Sequence, residues 1–393
     1  MKQTYNRTLI ACYTGYVVQA VVNNFAPLLF LTFQNTYNIS MSRITLLITA
    51  NFIIQLITDC LSAGFIDRIG YRASLMIAHA ASAAGLICLP LLPGLMPDPF
   101  IGLLIAVGIY AIGGGLLEVM VSPVVEALPT KNKEKTMSML HSFYCWGHVG
   151  VVLISTIFFT FFGVNNWKIM AVLWALIPLY NFFVFRKVPL CPLIEEGEEG
   201  MSSSELIQKP AFWILMIVMV CAGASEQSVS QWASTFAEQG LGVSKTIGDL
   251  AGPMFFAVCM GGSRLLYGLY GERLNLKKAM ILSGVLCVFA YGMISLSPAP
   301  ALSLLGCGIC GFSVGIMWPG AFSIGASVLK GGGTAMFAFF ALAGDLGCSG
   351  GPTYVGMISE HAGGSLKMGI QWAVIFPLLL MTGVILIRTR RES

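Results

Sequence analysis

The amino-acid sequence predicts an all-α membrane protein, with twelve transmembrane helices in two pseudo-symmetric six-helix bundles. The first observation is composition: 56% of the 393 residues are hydrophobic, only 10% are charged, and the mean hydropathy is +0.80. Soluble domains carry about 25% charged residues, so an ordinary soluble protein is excluded. The second observation is the number of apolar runs, and the third is a sequence similarity between the two halves of the chain.

The apolar runs define the predicted spans. A transmembrane helix needs about 20 mostly apolar residues, and the sequence contains twelve such runs. All must be helical, because lipid-exposed backbone has to make its hydrogen bonds internally. The predicted spans are 7–33, 43–66, 73–96, 100–126, 137–162, 167–185, 210–237, 244–269, 278–297, 300–328, 333–358 and 367–388.

A polar stretch rich in Glu, Ser and Pro separates six spans from six. We therefore predict an N-terminal six-helix bundle over 1–185, a cytoplasmic linker over 186–209, and a C-terminal six-helix bundle over 210–393. The two halves are similar in sequence. Asp67 and Glu272 follow spans two and eight, and Pro123 and Pro319 lie in spans four and ten. Such a duplication is typical of secondary transporters that bind substrate where the halves meet.

The basic residues predict the orientation. With the N-terminus in the cytoplasm, seventeen Lys and Arg residues fall in cytoplasmic segments and four on the opposite side. The positive-inside rule then places both termini in the cytoplasm, and we expect the protein in the inner (cytoplasmic) membrane. The first run lacks a small-residue cleavage site, so we expect a retained span rather than a signal peptide.

The loop after span two carries a recognisable motif, G-x-x-x-D/E-R-x-G-R/K. It is matched by Asp67, Arg68, Gly70 and Arg72, with Ala63 where the first Gly would stand, and the second half keeps Gly268, Glu272 and Arg273. In this position the chain resembles the major facilitator superfamily. That resemblance implies the fold of two six-helix bundles.

A narrower resemblance covers spans 1, 4, 5, 7 and 10. It is carried by NNFAPLLFLTFQ, GGGLLEVMVSPVV, MSMLHSFYCWG, EQSVSQW and SVGIMWPGAFSIG. These segments are similar to the fucose:proton symporter family of sugar transporters. The resemblance implies that Glu118 takes part in proton coupling. The family's acidic residue in span one is replaced here by Pro27.

Ionisable side chains inside spans are costly and usually face a cavity or a partner. The in-span candidates are Asp59, Glu118, His141, His148, Glu226, Arg264 and Asp345. Apolar surroundings favour the neutral form of a carboxyl group, so Glu118 could carry a proton; the alternative is a structural Glu bonded to a neighbouring helix. His141 and His148 could form a relay or be structural, and Arg264 could pair with Asp345.

Amides and aromatic rings in several spans could bind a polar solute, since amides hydrogen-bond hydroxyls and rings pack on the C–H faces of sugars. Helix–helix hydrogen bonding is the alternative for each residue. The predicted substrate-binding set is Gln19, Asn23, Asn24, Asn51, Gln55, Trp146, Glu226, Gln227, Gln231, Trp232 and Trp318. A second set of charged residues lies in the cytoplasmic loops. These residues form either a gate that closes the cytoplasmic side or only the loop charges expected from the positive-inside rule: Asp67, Arg68, Arg72, Glu272 and Arg273.

Other functional classes lack their signals in the sequence. No nucleophile–base pair, metal-ligand spacing or P-loop is present, so we expect no enzyme, no metal and no cofactor. No basic patch suggests nucleic acid. The prediction is a monomeric secondary transporter of a small polar solute, a sugar, in symport with protons. The alternative is an exporter or uncoupled facilitator of a non-sugar molecule.

Overall fold

A computed structural model describes residues 2–129, 133–191, 203–270, 275–329 and 333–387. Within these ranges every regular element is a helix. The chain divides into two compact units, the first comprising 1–195 with 245–250 and the second 196–244 with 251–393.

The first unit contains six long spans. Its helices are α1 (Lys2–Asn24), α2 (Phe30–Tyr37), α3 (Met41–Ile69), α4 (Tyr71–Leu95), α5 (Pro99–Glu126), α6 (Lys133–Phe162) and α7 (Trp167–Phe185). α5 begins where Pro99 follows Asp98, whose carboxylate accepts a hydrogen bond of 3.0 Å from the backbone N–H of Phe100. Pro at the first helical position and Asp before it are both favoured at a helix start.

The first predicted span is interrupted. A 3₁₀ turn, Ala26–Leu29, separates α1 from α2. Pro27 lies in this turn and has no backbone N–H, so it cannot continue the α-helical ladder. The residue that replaces the family's acid therefore also ends the first helical segment.

The C-terminal half also contains six long spans, four of them broken into shorter helices. Its helices in chain order are α8 (Ser203–Ile207), α9 (Pro210–Ser230), α10 (Ala233–Thr235), α12 (Phe255–Tyr270), α13 (Leu276–Leu296), α14 (Pro300–Val314), α15 (Met317–Val328), α16 (Gly333–His361), α17 (Leu366–Trp372) and α18 (Ile375–Leu386); α11 (Lys245–Asp249), between α10 and α12, groups with the first unit.

Pro123 and Pro319, which have corresponding positions in the two halves, differ in their effect on the helix. α5 runs through Pro123 without a break, whereas span ten breaks before Met317 and places Pro319 in the first turn of α15. A proline in the first turn costs no intrahelical hydrogen bond. The duplicated sequence position therefore has two local structures.

The predicted count of twelve spans is confirmed. Eleven helical stretches of the described residues are long and apolar enough to cross a membrane. The twelfth is α16, whose 29 residues give a length of about 44 Å, more than the roughly 30 Å hydrocarbon core.

Glycines let neighbouring helices approach closely. A Cβ at Gly113 would lie 2.5 Å from the Ala78 carbonyl oxygen of α4, and one at Gly347 would lie 1.9 Å from the Val220 carbonyl oxygen of α9. Side chains at these positions would collide with backbone that cannot move aside. The glycine-rich segments Gly113–Gly115 and Gly344–Gly351 therefore pack helices, as small residues do in membranes.

Candidate functional site

Three buried amides from α1 and α3 form a cluster in the first unit. The Asn23 Oδ1 atom accepts hydrogen bonds from Asn51 Nδ2 at 3.2 Å and from Gln55 Nε2 at 2.8 Å. Asn51 and Gln55 are one helical turn apart on α3, so both amides can reach the same oxygen. Three of the predicted substrate-binding residues are thus in direct contact.

Glu118 lies beside this cluster on α5. Its Oε2 atom accepts a hydrogen bond of 2.7 Å from Gln19 Nε2 on α1, one turn before Asn23. Gln19 is only 3% exposed. Asn24 points elsewhere, donating to the Ala20 carbonyl at 2.9 Å and to the Tyr144 hydroxyl at 3.4 Å.

Asp59 approaches the same part of α5. A Cβ at Gly115 would lie 2.9 Å from Asp59 Oδ1, so the missing side chain admits the carboxylate. One carboxylate oxygen of Asp59 and one of Glu118 lie within 4.8 Å of each other. The two acids are 59 residues apart in the sequence, and their proximity was not predicted.

The second unit holds a chain of polar side chains along α9. Gln231 Nε2 donates to Gln227 Oε1 at 3.0 Å, and Gln227 Nε2 donates to Glu226 Oε1 at 3.2 Å. Trp232 is fully buried, and its Nε1 donates to the Pro352 carbonyl oxygen at 3.0 Å. All four predicted residues of span seven are therefore buried and hydrogen-bonded.

Arg264 of α12 forms an ion pair with Glu226, with 3.2 Å between Nη2 and Oε2. Its Nε also donates to the Gly315 carbonyl oxygen at 3.3 Å. This pair was not among the predictions from the sequence, and the pairing of Arg264 with Asp345 stays a prediction. Asp345 is buried on α16, next to Gly344, against which the Trp318 ring packs.

The other predicted aromatic and histidine residues differ in environment. Trp146 is 47% exposed, unlike the buried amides. His141 is exposed, with its ring centroid 5.4 Å from that of Tyr16, whereas His148 is buried. The two histidines share a helix face but not an environment, and the relay stays a prediction.

Of the predicted gate, the structure describes the side chain of Arg72 alone. Its Nη1 donates to the Phe185 carbonyl oxygen at 2.7 Å. Phe185 ends α7, where exposed carbonyls attract a cation. The side chains of Asp67 and Arg68, and all of Glu272 and Arg273, lie outside the described residues.

A buried histidine lies outside the predicted site residues. His79 of α4 is fully buried, its Nδ1 bonds the Leu75 carbonyl at 2.7 Å, and its Nε2 accepts from Asn181 Nδ2 of α7 at 2.7 Å. Asn181 also donates to the Ala11 carbonyl at 3.0 Å. The sequence signal was a histidine and an asparagine, each within an apolar run.

A second missed group surrounds Asp249 of α11. This residue is 0% exposed, and its carboxylate lies 3.1 Å from Lys245 Nζ and 3.4 Å from Thr156 Oγ1 of α6. Lys245 also donates to the Leu28 carbonyl at 2.6 Å. The i, i+4 spacing of Lys245 and Asp249 was visible in the sequence at the start of predicted span eight, but neither residue was among the predicted site residues.

The comparisons with known proteins agree with this architecture. The Major Facilitator Superfamily profile matches residues 12–352, and the chain belongs to that superfamily. It is therefore a multi-pass membrane transporter and not an enzyme. No curated protein sequence matches the chain significantly.

Three solved structures resemble the chain at 15% identity, a level that shows the fold alone. A bacterial homologue of the human lysosomal transporter Spinster, inward-facing and occupied, has a TM-score of 0.77, with 98% of this chain and 97% of that chain covered. A D-xylose–proton symporter has a TM-score of 0.74, with 99% and 98% covered. The Escherichia coli fucose:proton symporter has a TM-score of 0.67, with 97% and 98% covered.

Proposed function

We propose that the protein carries a sugar across the cytoplasmic membrane by alternating access, in symport with protons, as a monomer with both termini in the cytoplasm. One observation carries this proposal: Glu118, an acid within an apolar helix, contacts Gln19 beside a cluster of buried amides. Solved structures of similar fold include a fucose:proton symporter and a D-xylose–proton symporter.

The amide cluster suits a hydroxylated solute. Asn51 Oδ1 is buried and has no hydrogen-bond partner among the residues that the structure describes. A buried acceptor without a donor costs free energy, about 1–3 kcal/mol. A substrate hydroxyl could donate to this oxygen. In the second unit, the carboxylate and amides of Glu226, Gln227 and Gln231 offer the same chemistry, with Trp232 as an aromatic neighbour.

Glu118 would couple transport to the proton gradient. The neutral carboxyl group and the carboxylate differ in charge, so a proton bound at Glu118 changes the cost of exposing the site to either side of the membrane. The Gln19 N–H group donates to Glu118 and thus stabilises the charged form when the proton leaves.

The test is uptake of labelled sugars into proteoliposomes, with and without an inward proton gradient. We expect one sugar to accumulate only with the gradient in the parent protein. Glu118→Gln mimics the protonated carboxyl group, so this variant should equilibrate the sugar without accumulating it. Glu360→Gln, which changes an exposed carboxyl group at the end of α16, is the matched control and should accumulate like the parent.

Three results would contradict the proposal. Accumulation by Glu118→Gln at the parent level would remove Glu118 from coupling. Movement of no sugar, with efflux of an amphipathic compound, would favour the exporter; equal uptake with and without the gradient would favour the uncoupled facilitator.

A further inference from the structure

A small cavity lies in the first unit, where the end of α6 meets α11. Its volume is about 160 Å³, and it is partly open to solvent. Because one water needs about 10–15 Å³ of such space, the cavity has room for roughly ten waters or for one small solute. Its lining residues, none of which is among the predicted site residues, are Thr156, Phe159, Val164, Lys245, Thr246 and Asp249.

An ion pair forms the polar wall of this cavity. The side chain of Asp249 is 0% exposed, and its Oδ2 atom lies 3.1 Å from Lys245 Nζ. The same ammonium group donates to the Leu28 carbonyl oxygen at 2.6 Å, in the 3₁₀ turn where α1 has ended. Thr156 Oγ1 donates to Asp249 Oδ2 at 3.4 Å. Both charges of the pair are therefore held in place beside the cavity.

The rest of the wall is apolar, with one further hydroxyl. Phe159 is 7% exposed, and Val164 follows it in the turn after α6. The Thr246 hydroxyl lies 3.1 Å from that of Thr160, which fixes its position at the start of α11. An apolar surface with a few fixed polar groups is the usual composition of a small-molecule site.

The charges of the wall decide which solutes fit. An anion would be attracted by Lys245 but repelled by the carboxylate of Asp249 beside it, and a cation would meet the opposite combination. A neutral hydroxylated solute can accept from the ammonium group and donate to the carboxylate while the pair stays intact. Such hydrogen bonds to charged groups are stronger than those between neutral groups. Phe159 and Val164 would pack against the C–H groups of the solute.

We propose that this cavity is a binding site for a neutral hydroxylated solute of monosaccharide size. The site shares no residue with the proposed transport site, and binding here requires neither Glu118 nor transport. In the proposed orientation the end of α6 and the start of α11 face the outside. A solute would then meet this site before it reaches the transport site, and only this order of events rests on the proposed function.

The experiment measures how fast a charged methanethiosulfonate reagent labels a cysteine introduced into the cavity wall of the purified full-length protein in detergent. A thiol reacts only where the reagent can reach it, so a bound solute slows the reaction. The reporters are Val164→Cys and Thr246→Cys, and peptide mass spectrometry separates each from the eleven native cysteines. The probes are D-glucose, D-galactose, D-mannose and D-ribose. We expect at least one sugar to protect both thiols, with half-maximal protection at millimolar concentration, as suits a ligand of so few atoms.

Four variants locate the effect. Asn165→Cys is the matched control, since Asn165 is exposed and adjacent to Val164 but does not line the cavity, and its labelling should not change with sugar. Phe159→Leu removes the ring, and Thr156→Val removes a hydroxyl at nearly constant shape. Each should raise the concentration for half-maximal protection about fivefold. Asn51→Leu, which alters the proposed transport site, should leave the protection unchanged.

Several results would overturn the inference. Absence of protection by all four sugars would mean that the cavity holds only water, and equal protection by glycine or sulfate would refute the argument from charge. Loss of protection in Asn51→Leu would mean that the effect originates at the transport site. Sugar accumulation without protection would leave the proposed function standing, whereas protection without transport of any sugar would support the cavity site and refute the proposed function.

Discussion

The ion pair between Glu226 and Arg264 makes a quantitative prediction about stability. The side chains are 9% and 17% exposed, and their charged atoms are 3.2 Å apart. Breaking a buried pair by removing one partner costs about 3–5 kcal/mol, because the other charge stays buried without compensation. Replacing both partners by neutral residues of similar size is often nearly neutral.

The hydrogen bonds that remain to each partner predict which of the two single substitutions lowers the stability more. Glu226→Gln leaves Arg264 with the Gly315 carbonyl and some solvent exposure, so we expect a loss near 3 kcal/mol. Arg264→Met leaves the Glu226 carboxylate with the Gln227 amide alone among the contacts above, so the loss should approach 5 kcal/mol. The double variant should recover most of either loss.

Thermal unfolding of the detergent-purified protein measures the effect. At about 2–4 °C per kcal/mol for a unit of this size, the single variants should lower the Tm by about 6–20 °C. All variants should be heated at the same rate, since unfolding of such proteins is often irreversible. A double variant as unstable as the worse single variant, or single variants with an unchanged Tm, would show that the two charges do not stabilise each other.

Three further predictions concern packing and buried hydrogen bonds, each measured by the same unfolding assay. Gly113→Ala places a Cβ 2.2 Å from Ser82 Oγ and close to α4 backbone, so it should destabilise by at least about 1–3 kcal/mol; an unchanged Tm would mean that α4 and α5 can separate easily. Asn181→Leu leaves the buried His79 Nε2 without its donor and should cost about 1–3 kcal/mol, and if the additional change His79→Leu does not restore stability, this bond is unimportant. Trp232→Phe keeps the ring but removes one hydrogen bond, so it should cost only about 1 kcal/mol; a much larger loss would point to packing that phenylalanine cannot reproduce.

The interruption of span one could be predicted from the local sequence. Pro27 lacks an N–H group, so a break near it follows from the chain itself, although the apolar run alone predicted one continuous helix. The starts of α5, α9 and α14 at Pro99, Pro210 and Pro300 also follow from local chemistry.

The sequence by itself determined the class of protein, the twelve spans and most of the side chains worth studying. Hydrophobic burial in lipid requires about 20 apolar residues per span whatever the partners are, so span positions can be read from composition. Glu118, Glu226 and the amides were found because polar residues stand out in apolar runs.

Only the tertiary structure decided which of these side chains meet. Asp59 reaches Glu118 because Gly115 lets α3 and α5 approach, Arg264 contacts Glu226 rather than solvent, and Asp249 is buried beside Lys245. These partners lie on different helices or depend on how a helix end packs, and helix spacing and rotation are set by side-chain packing across the bundle. Apolar periodicity is nearly uniform around such helices, so the sequence holds little information about which face turns toward which neighbour.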